Sequence, residues 1–170
     1  MLKWLWLTAI VVILDQVSKQ VAVNMLAMHD PQAFLPFFNF TLTYNKGAAF
    51  SFLSTAGGWQ RWFFTILAIA VSIFIFFWLK KLTNKEKLLA CSLALILGGA
   101  IGNVIDRSLY GYVIDFIDWF YPSTEGCLPF FFSIHSITCH WPTFNLADSA
   151  IFLGATLMII QALFAKEESK

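Results

Sequence analysis

Four long apolar stretches dominate this chain, at about 4–28, 62–79, 88–105 and 144–165, and they leave it few folds. At about 1.5 Å of rise per residue, 18 helical residues reach about 27 Å, close to the thickness of a bilayer's hydrocarbon core. Each stretch can therefore cross a membrane once, as a helix that satisfies its own backbone hydrogen bonds. Of the 170 residues 59% are hydrophobic and 12% charged, and the mean hydropathy is +0.72, which excludes a water-soluble domain. The expectation is an all-α membrane protein of four transmembrane helices, forming a single integral domain over 1–170. Lys3 ahead of an apolar run has the look of a signal peptide, but Asp15 and Lys19 interrupt that run and no small-residue cleavage site follows. The first stretch reads as a retained span.

Charge placement sets an expected orientation. Lys3, Lys80, Lys81, Lys85, Lys87, Lys166 and Lys170 put both termini and the 80–87 loop in the cytoplasm, with 29–61 and 106–143 outside. Trp59, Trp62, Trp78, Trp119 and Trp141 fall near span ends, as an interfacial aromatic belt requires. A net charge of +1 implies no nucleic-acid partner. Between the first two spans, FLPFFNFTLTYNKGAAFSF (34–52) alternates over 39–44 and turns at Gly47, which predicts a small sheet at the outer surface. In the third span Ala94, Gly98 and Gly102 recur every four residues, a small-residue stripe that lets a neighbouring helix approach closely.

Polar residues inside or beside the spans are costly and point to function. They gather at Asp15, Gln16, Ser18 and Lys19; at Asn45 and Lys46; at Asn103, Asp106 and Arg107; at Asp115 and Asp118; and at Asn145 and Asp148. The expected topology brings all five groups toward the outer half of the bilayer, with Asp115 on a loop folded over Asp148. Two carboxylates held close cannot both ionise cheaply, so one proton is shared. One then serves as base toward water and the other as acid toward a peptide carbonyl. Neither HExxH nor GxSxG occurs, and His29, His135 and His140 all lie in outer segments. No metal or cofactor is called for.

The strings DQVSK (15–19), NKGAAFS (45–51), GGAIGNVIDR (98–107), VIDF (113–116) and FNLADSAI (144–151) together resemble the motif set of the lipoprotein signal peptidase family, signal peptidase II. The resemblance spans most of 15–151, in the family's order. It implies a four-helix aspartic endopeptidase of the bacterial cytoplasmic membrane, with an outer β-cradle and a short amphipathic helix between the first two spans. The implied substrates are diacylglyceryl-modified prolipoproteins, cut on the N-terminal side of the lipidated cysteine, and the implied inhibitors are globomycin-like cyclic peptides. By motif position Asp115 and Asp148 are the catalytic pair, and Asp15, Asn45, Asn103, Arg107 and Asn145 bind substrate or support that pair. Lys19 and Gly47 join this supporting set from DQVSK and NKGAAFS, the glycine as a tight turn.

Plainer roles stand beside these. Asp15 and Lys19 have the i, i+4 spacing of an intrahelical ion pair, Asp106 can neutralise the adjacent Arg107, and Asn45 can be a turn residue. Asn103 and Arg107, four apart, project from one helix face toward substrate or dyad. Asp118 is a geometric substitute for Asp115. Cys91 reads as a core residue, whereas Cys127 and Cys139 lie in an outer, oxidising segment and predict a disulfide; a zinc site of Cys127, His135, Cys139 and His140 has irregular spacing. The 119–141 segment is longer than the family pattern, and Gly111 before VIDF and Gly126 offer hinge points for the outer loop. Two acyl chains would hold the substrate in the lipid phase, so a site open sideways to membrane lipids admits it, and a monomer is expected. A proton- or cation-coupled transporter using Asp15, Asp115 and Asp148 is the alternative, followed by a lipid-binding factor that leaves its precursor uncut.

Overall fold

The computed structural model describes residues 1–47, 58–123, 125–134 and 138–167. Among the described residues four helices are long and apolar enough to cross a membrane: α1 (Leu5–Met25, preceded by a 3-10 turn at Leu2–Trp4), α2 (Trp59–Lys81), α3 (Lys87–Leu109) and α4 (Leu146–Glu167). Their limits shift from the expected ones for local reasons. α1 stops at Met25 because Met28 leaves to bridge Leu42, and α4 starts at Leu146 because Phe144 bridges Ile117. α3 runs past 105 and carries Asp106 and Arg107 on its last turn. Its end is capped by Arg61, which donates from Nε to the Arg107 carbonyl at 2.8 Å and from Nη2 to that of Ser108 at 3.0 Å. These are last-turn carbonyls without helical partners, and a cation there also suits the helix dipole. Gly111 then turns the chain away with a φ of +86°, a conformation that favours glycine.

The chain divides into two compact units. The first comprises Met1–Gln16, Thr65–Ile105 and Leu146 onward, and α3 is its centre: 61% of that apolar window is buried, against 17–28% for the other three helices. Ile75, Leu79, Ala90, Leu93 and Leu97 form one core cluster, and Val11, Leu95 and Ala150 another, with Cys91 packed on the latter. The small-residue stripe does what its spacing predicts. A Cβ on Gly98 would strike Val11, one on Gly99 the Ala147 carbonyl, and one on Gly154 the Ser92 carbonyl. Buried Thr8 donates to the Ala94 carbonyl at 2.9 Å. Ile66, Phe74 and Phe152 point outward, apolar side chains suited to a lipid solvent.

The second unit comprises Val17–Phe64 and Asp106–Asn145. Its sheet has five strands in the order β1-β2-β3-β5-β4: β1 (Gln32–Leu35), β2 (Phe38–Asn45), β3 (Val113–Pro122), β4 (Phe132–Ile134) and β5 (Thr138–His140). All its neighbouring pairs are antiparallel. The expected sheet covered only 34–52, and Asp115 was expected on a loop. Instead VIDFIDWFYP, rich in β-branched and aromatic residues, becomes the central strand. Asn39 faces Asp118 and Thr43 faces Asp115 across the β2–β3 ladder. Consecutive amides of Phe116 and Ile117 both donate to the Phe144 carbonyl, at 3.0 and 2.9 Å, the doubled donation of a β-bulge. The bulge explains how Asp115 and Asp118, an odd number of residues apart on one strand, both line one cleft.

A disulfide links Cys127 to Cys139 on β5, as their outer placement predicts. It consumes two of the four zinc donors considered above; His140 is turned to Asp118, and His135 lies outside the described residues. The AAFS end of NKGAAFS also falls outside them, and the described residues 26–47 between the first two spans hold β1 and β2 but no helix.

Candidate active site

In the second unit Asp115 is almost fully enclosed, 1% exposed. Asn145 donates from Nδ2 to its Oδ1 at 2.7 Å and also reaches the Ile114 carbonyl at 3.3 Å, while Asn45 donates to Oδ2 at 3.2 Å. Two neutral amides thus donate to the carboxylate and hold it in place. Asn45 is at once a turn residue and a site residue, since its Oδ1 also accepts the Gly47 amide at 3.0 Å. The Gly47 carbonyl in turn accepts from Arg107 Nη2 at 3.3 Å, and that guanidinium lies 5.8 Å from the centre of the Phe64 ring. The Thr43 and Thr143 hydroxyls meet at 2.6 Å nearby, and with Asp115 they line a cleft of about 790 Å³.

Lys19 pairs with Asp106 at 2.9 Å, with neither side chain exposed. Asp106 is thus matched to a lysine from α1, and it also accepts the Ile114 amide at 3.0 Å, pinning β3 one residue before Asp115. Asp118 stands apart from Asp115's amides, accepting from the Thr41 hydroxyl at 2.8 Å and meeting His140 Nδ1 at 2.8 Å. Burial, then the neighbouring Tyr44, Tyr110 and Asp106, pushes the Tyr112 phenol up, so it stays neutral in its stack on Tyr44.

In the first unit Asp148 occupies the first turn of α4, where the helix dipole favours a carboxylate, and Asn103 donates to its Oδ1 at 2.8 Å. Asp15, fully buried, accepts the Ala147 amide at 2.9 Å, so it caps α4 across 132 residues of sequence. Gln16 donates to Asp15 Oδ2 and to the Gly102 carbonyl, both at 3.2 Å. Gly102 leaves room for this: a Cβ there would meet the Asp15 carboxylate.

Each of the two motif aspartates thus accepts from an asparagine amide, Asp115 from Asn145 and Asp148 from Asn103. A model of the family described as signal peptidase (SPase) II matches residues 7–164. The chain belongs to the signal peptidase II family. Among its relatives, a lipoprotein signal peptidase of Alteromonas mediterranea is 50% identical over 159 residues, 94% of this chain and 79% of that protein. One from Teredinibacter turnerae is 46% identical over 169 residues, 99% of this chain and 92% of the relative. A bacterial membrane enzyme solved by the in meso method at 2.3 Å superposes with a TM-score of 0.80 at 30% identity, covering all of this chain and 93% of that one. A second, solved by the same method at 1.9 Å, gives 0.74 at 31% identity over 96% and 94%. Membership of signal peptidase II does not favour the transporter alternative. The residues missed by sequence reasoning are Arg61, Thr43 and Thr143, none of which falls in a quoted motif or a recognisable spacing.

Proposed function

We propose that this protein, a multi-pass enzyme of the bacterial cytoplasmic membrane, removes the signal peptide from diacylglyceryl-modified prolipoproteins by cutting N-terminal to the lipidated cysteine. Asp115 and Asp148 act as a pair sharing one proton: the ionised member takes a proton from water, and the protonated member donates to the scissile carbonyl oxygen. The observation that carries the reading is the matched support of the two acids, Asn145 at 2.7 Å from Asp115 and Asn103 at 2.8 Å from Asp148, each aspartate standing in a motif of the family. Asn45 steadies Asp115, Asp15 steadies the helix start that carries Asp148, and Arg107 with Gly47 presents backbone to an extended peptide. Lys19 acts through Asp106 on the start of β3.

The lysine distribution supports cytoplasmic termini and a site near the extracytoplasmic face. The enzyme works as a monomeric single domain open to membrane lipids, which admit a substrate already anchored by its acyl chains. Globomycin-like cyclic peptides occupy the dyad. The test is a gel-shift assay with purified protein and a lipid-modified precursor. Asp115→Asn and Asp148→Asn each lower turnover by about 10³-fold or more while leaving insertion and thermal stability near wild type. Wild-type turnover by either variant rules the dyad out, and binding without cleavage by the unmodified protein returns the lipid-binding reading.

A further inference from the structure

The cleft that holds Asp115 continues along β3 past the groups the proposed reaction uses. Asp118, 2% exposed, is fixed on one side by the Thr41 hydroxyl and on the other by His140, whose Nε2 lies 3.2 Å from the Thr138 hydroxyl. The His140 ring stacks on Phe120 at 5.3 Å and 19°, and Trp141 extends this wall of the cleft. A buried carboxylate needs such partners to be tolerated at all, and here the partners also shape a wall that faces open space. Asp118 stands three residues beyond Asp115, roughly 10 Å along an extended strand, which is the length of about three residues of an extended peptide.

Resting on the function proposed above, we infer that this part of the cleft is a substrate subsite for the exported side of the precursor, the first three or so residues after the lipidated cysteine. The Asp118–His140 pair is its positioning element. A signal peptide is apolar and is matched by lipid and by apolar helices, whereas the residues after the cysteine are ordinary polypeptide with backbone groups to satisfy. The cleft offers those residues polar partners in Thr41 and Asn39 and an aromatic wall in Phe120 and Trp141. Binding energy gathered there, away from the reacting bond, can be used to hold the scissile carbonyl against the acids.

The test uses the full-length protein in detergent micelles and two synthetic diacylglyceryl precursors sharing one signal peptide, the first ending at the modified cysteine as an amide, the second continuing for four residues. The wild type should cleave the longer with about tenfold higher kcat/KM. His140→Phe keeps a ring on Phe120 but drops the bond to Asp118, and Thr41→Val removes the other donor; each should bring the ratio of the two kcat/KM values below about two. A purely structural role would lower both values together and leave the ratio alone. Equal cleavage of both precursors by the wild type overturns the subsite while the proposed function stands, and so does a wild-type ratio in both variants. Cleavage of neither precursor overturns the function and the subsite together.

Discussion

Lys19 Nζ and Asp106 Oδ2 meet at 2.9 Å with no solvent on either side chain, and the same carboxylate oxygen accepts the amide of Ile114. A charge pair so enclosed is costly to assemble and more costly to break, because the survivor is left buried without the charge it was matched to.

Lys19→Met should therefore destabilise the protein by about 3–5 kcal/mol, and Lys19→Met/Asp106→Asn should recover most of it. Asparagine keeps an acceptor for the Ile114 amide while removing the stranded charge. Unfolding of all variants in the same mixed micelles measures this; a single variant within about 1 kcal/mol of wild type shows the pair to be dispensable.

Gly99 lies where α3 packs on α4, and a methyl group there would meet the Ala147 carbonyl and, at 2.7 Å, the Ile151 side chain. Backbone cannot yield as a flexible side chain does, so Gly99→Ala should cost about 1–3 kcal/mol. Because Ala147 precedes Asp148, turnover should fall as well. Thermal unfolding and precursor cleavage on the same preparation test both halves of this expectation.

The four helices and the small-residue contacts were readable because apolar runs and a four-residue period are local signals. The acids and amides were readable through their motifs. What escaped was pairing: Lys19 with Asp106, Asp118 with His140, and Arg61 on the last turn of α3 join segments whose spacing says nothing about who meets whom. The strand at Val113–Pro122 escaped for a related reason, since it is made a strand by neighbours on both edges. The outer disulfide was legible because only two cysteines lie outside the spans.

Removing that disulfide by Cys127→Ser/Cys139→Ser should loosen a loop with a sequence separation of 12, at a cost of about 2–3 kcal/mol. Limited proteolysis without reductant should cut the double variant within 123–137 faster than wild type. Equal rates would show that the β4–β5 pairing holds the segment unaided.

Glu86, in the short turn before α3, accepts the amide and the hydroxyl of Thr83, both at 2.8 Å, and these bonds, the amide first, hold its carboxyl below the usual range. A carboxyl whose folded value is depressed stabilises fully above its unfolded value, and that contribution fades as pH falls through the folded one. Acidification should thus fray the start of α3, and Glu86→Gln should abolish this part of the pH dependence. Amide exchange at Thr83, followed from neutral to acid pH, reads it directly.

The shared Phe144 carbonyl has an implication for how sequences of this kind can drift. Phe116 and Ile117 grip the residue just before Asn145, and Asn145 grips the residue just before Phe116, so five positions close on one another like a buckle. Adding or deleting a single residue inside that buckle would rotate Asp115 out of its cleft, whereas the disulfide-tied stretch beyond Pro122 carries no such phase. Changes of length should accumulate in the second place and be purged from the first.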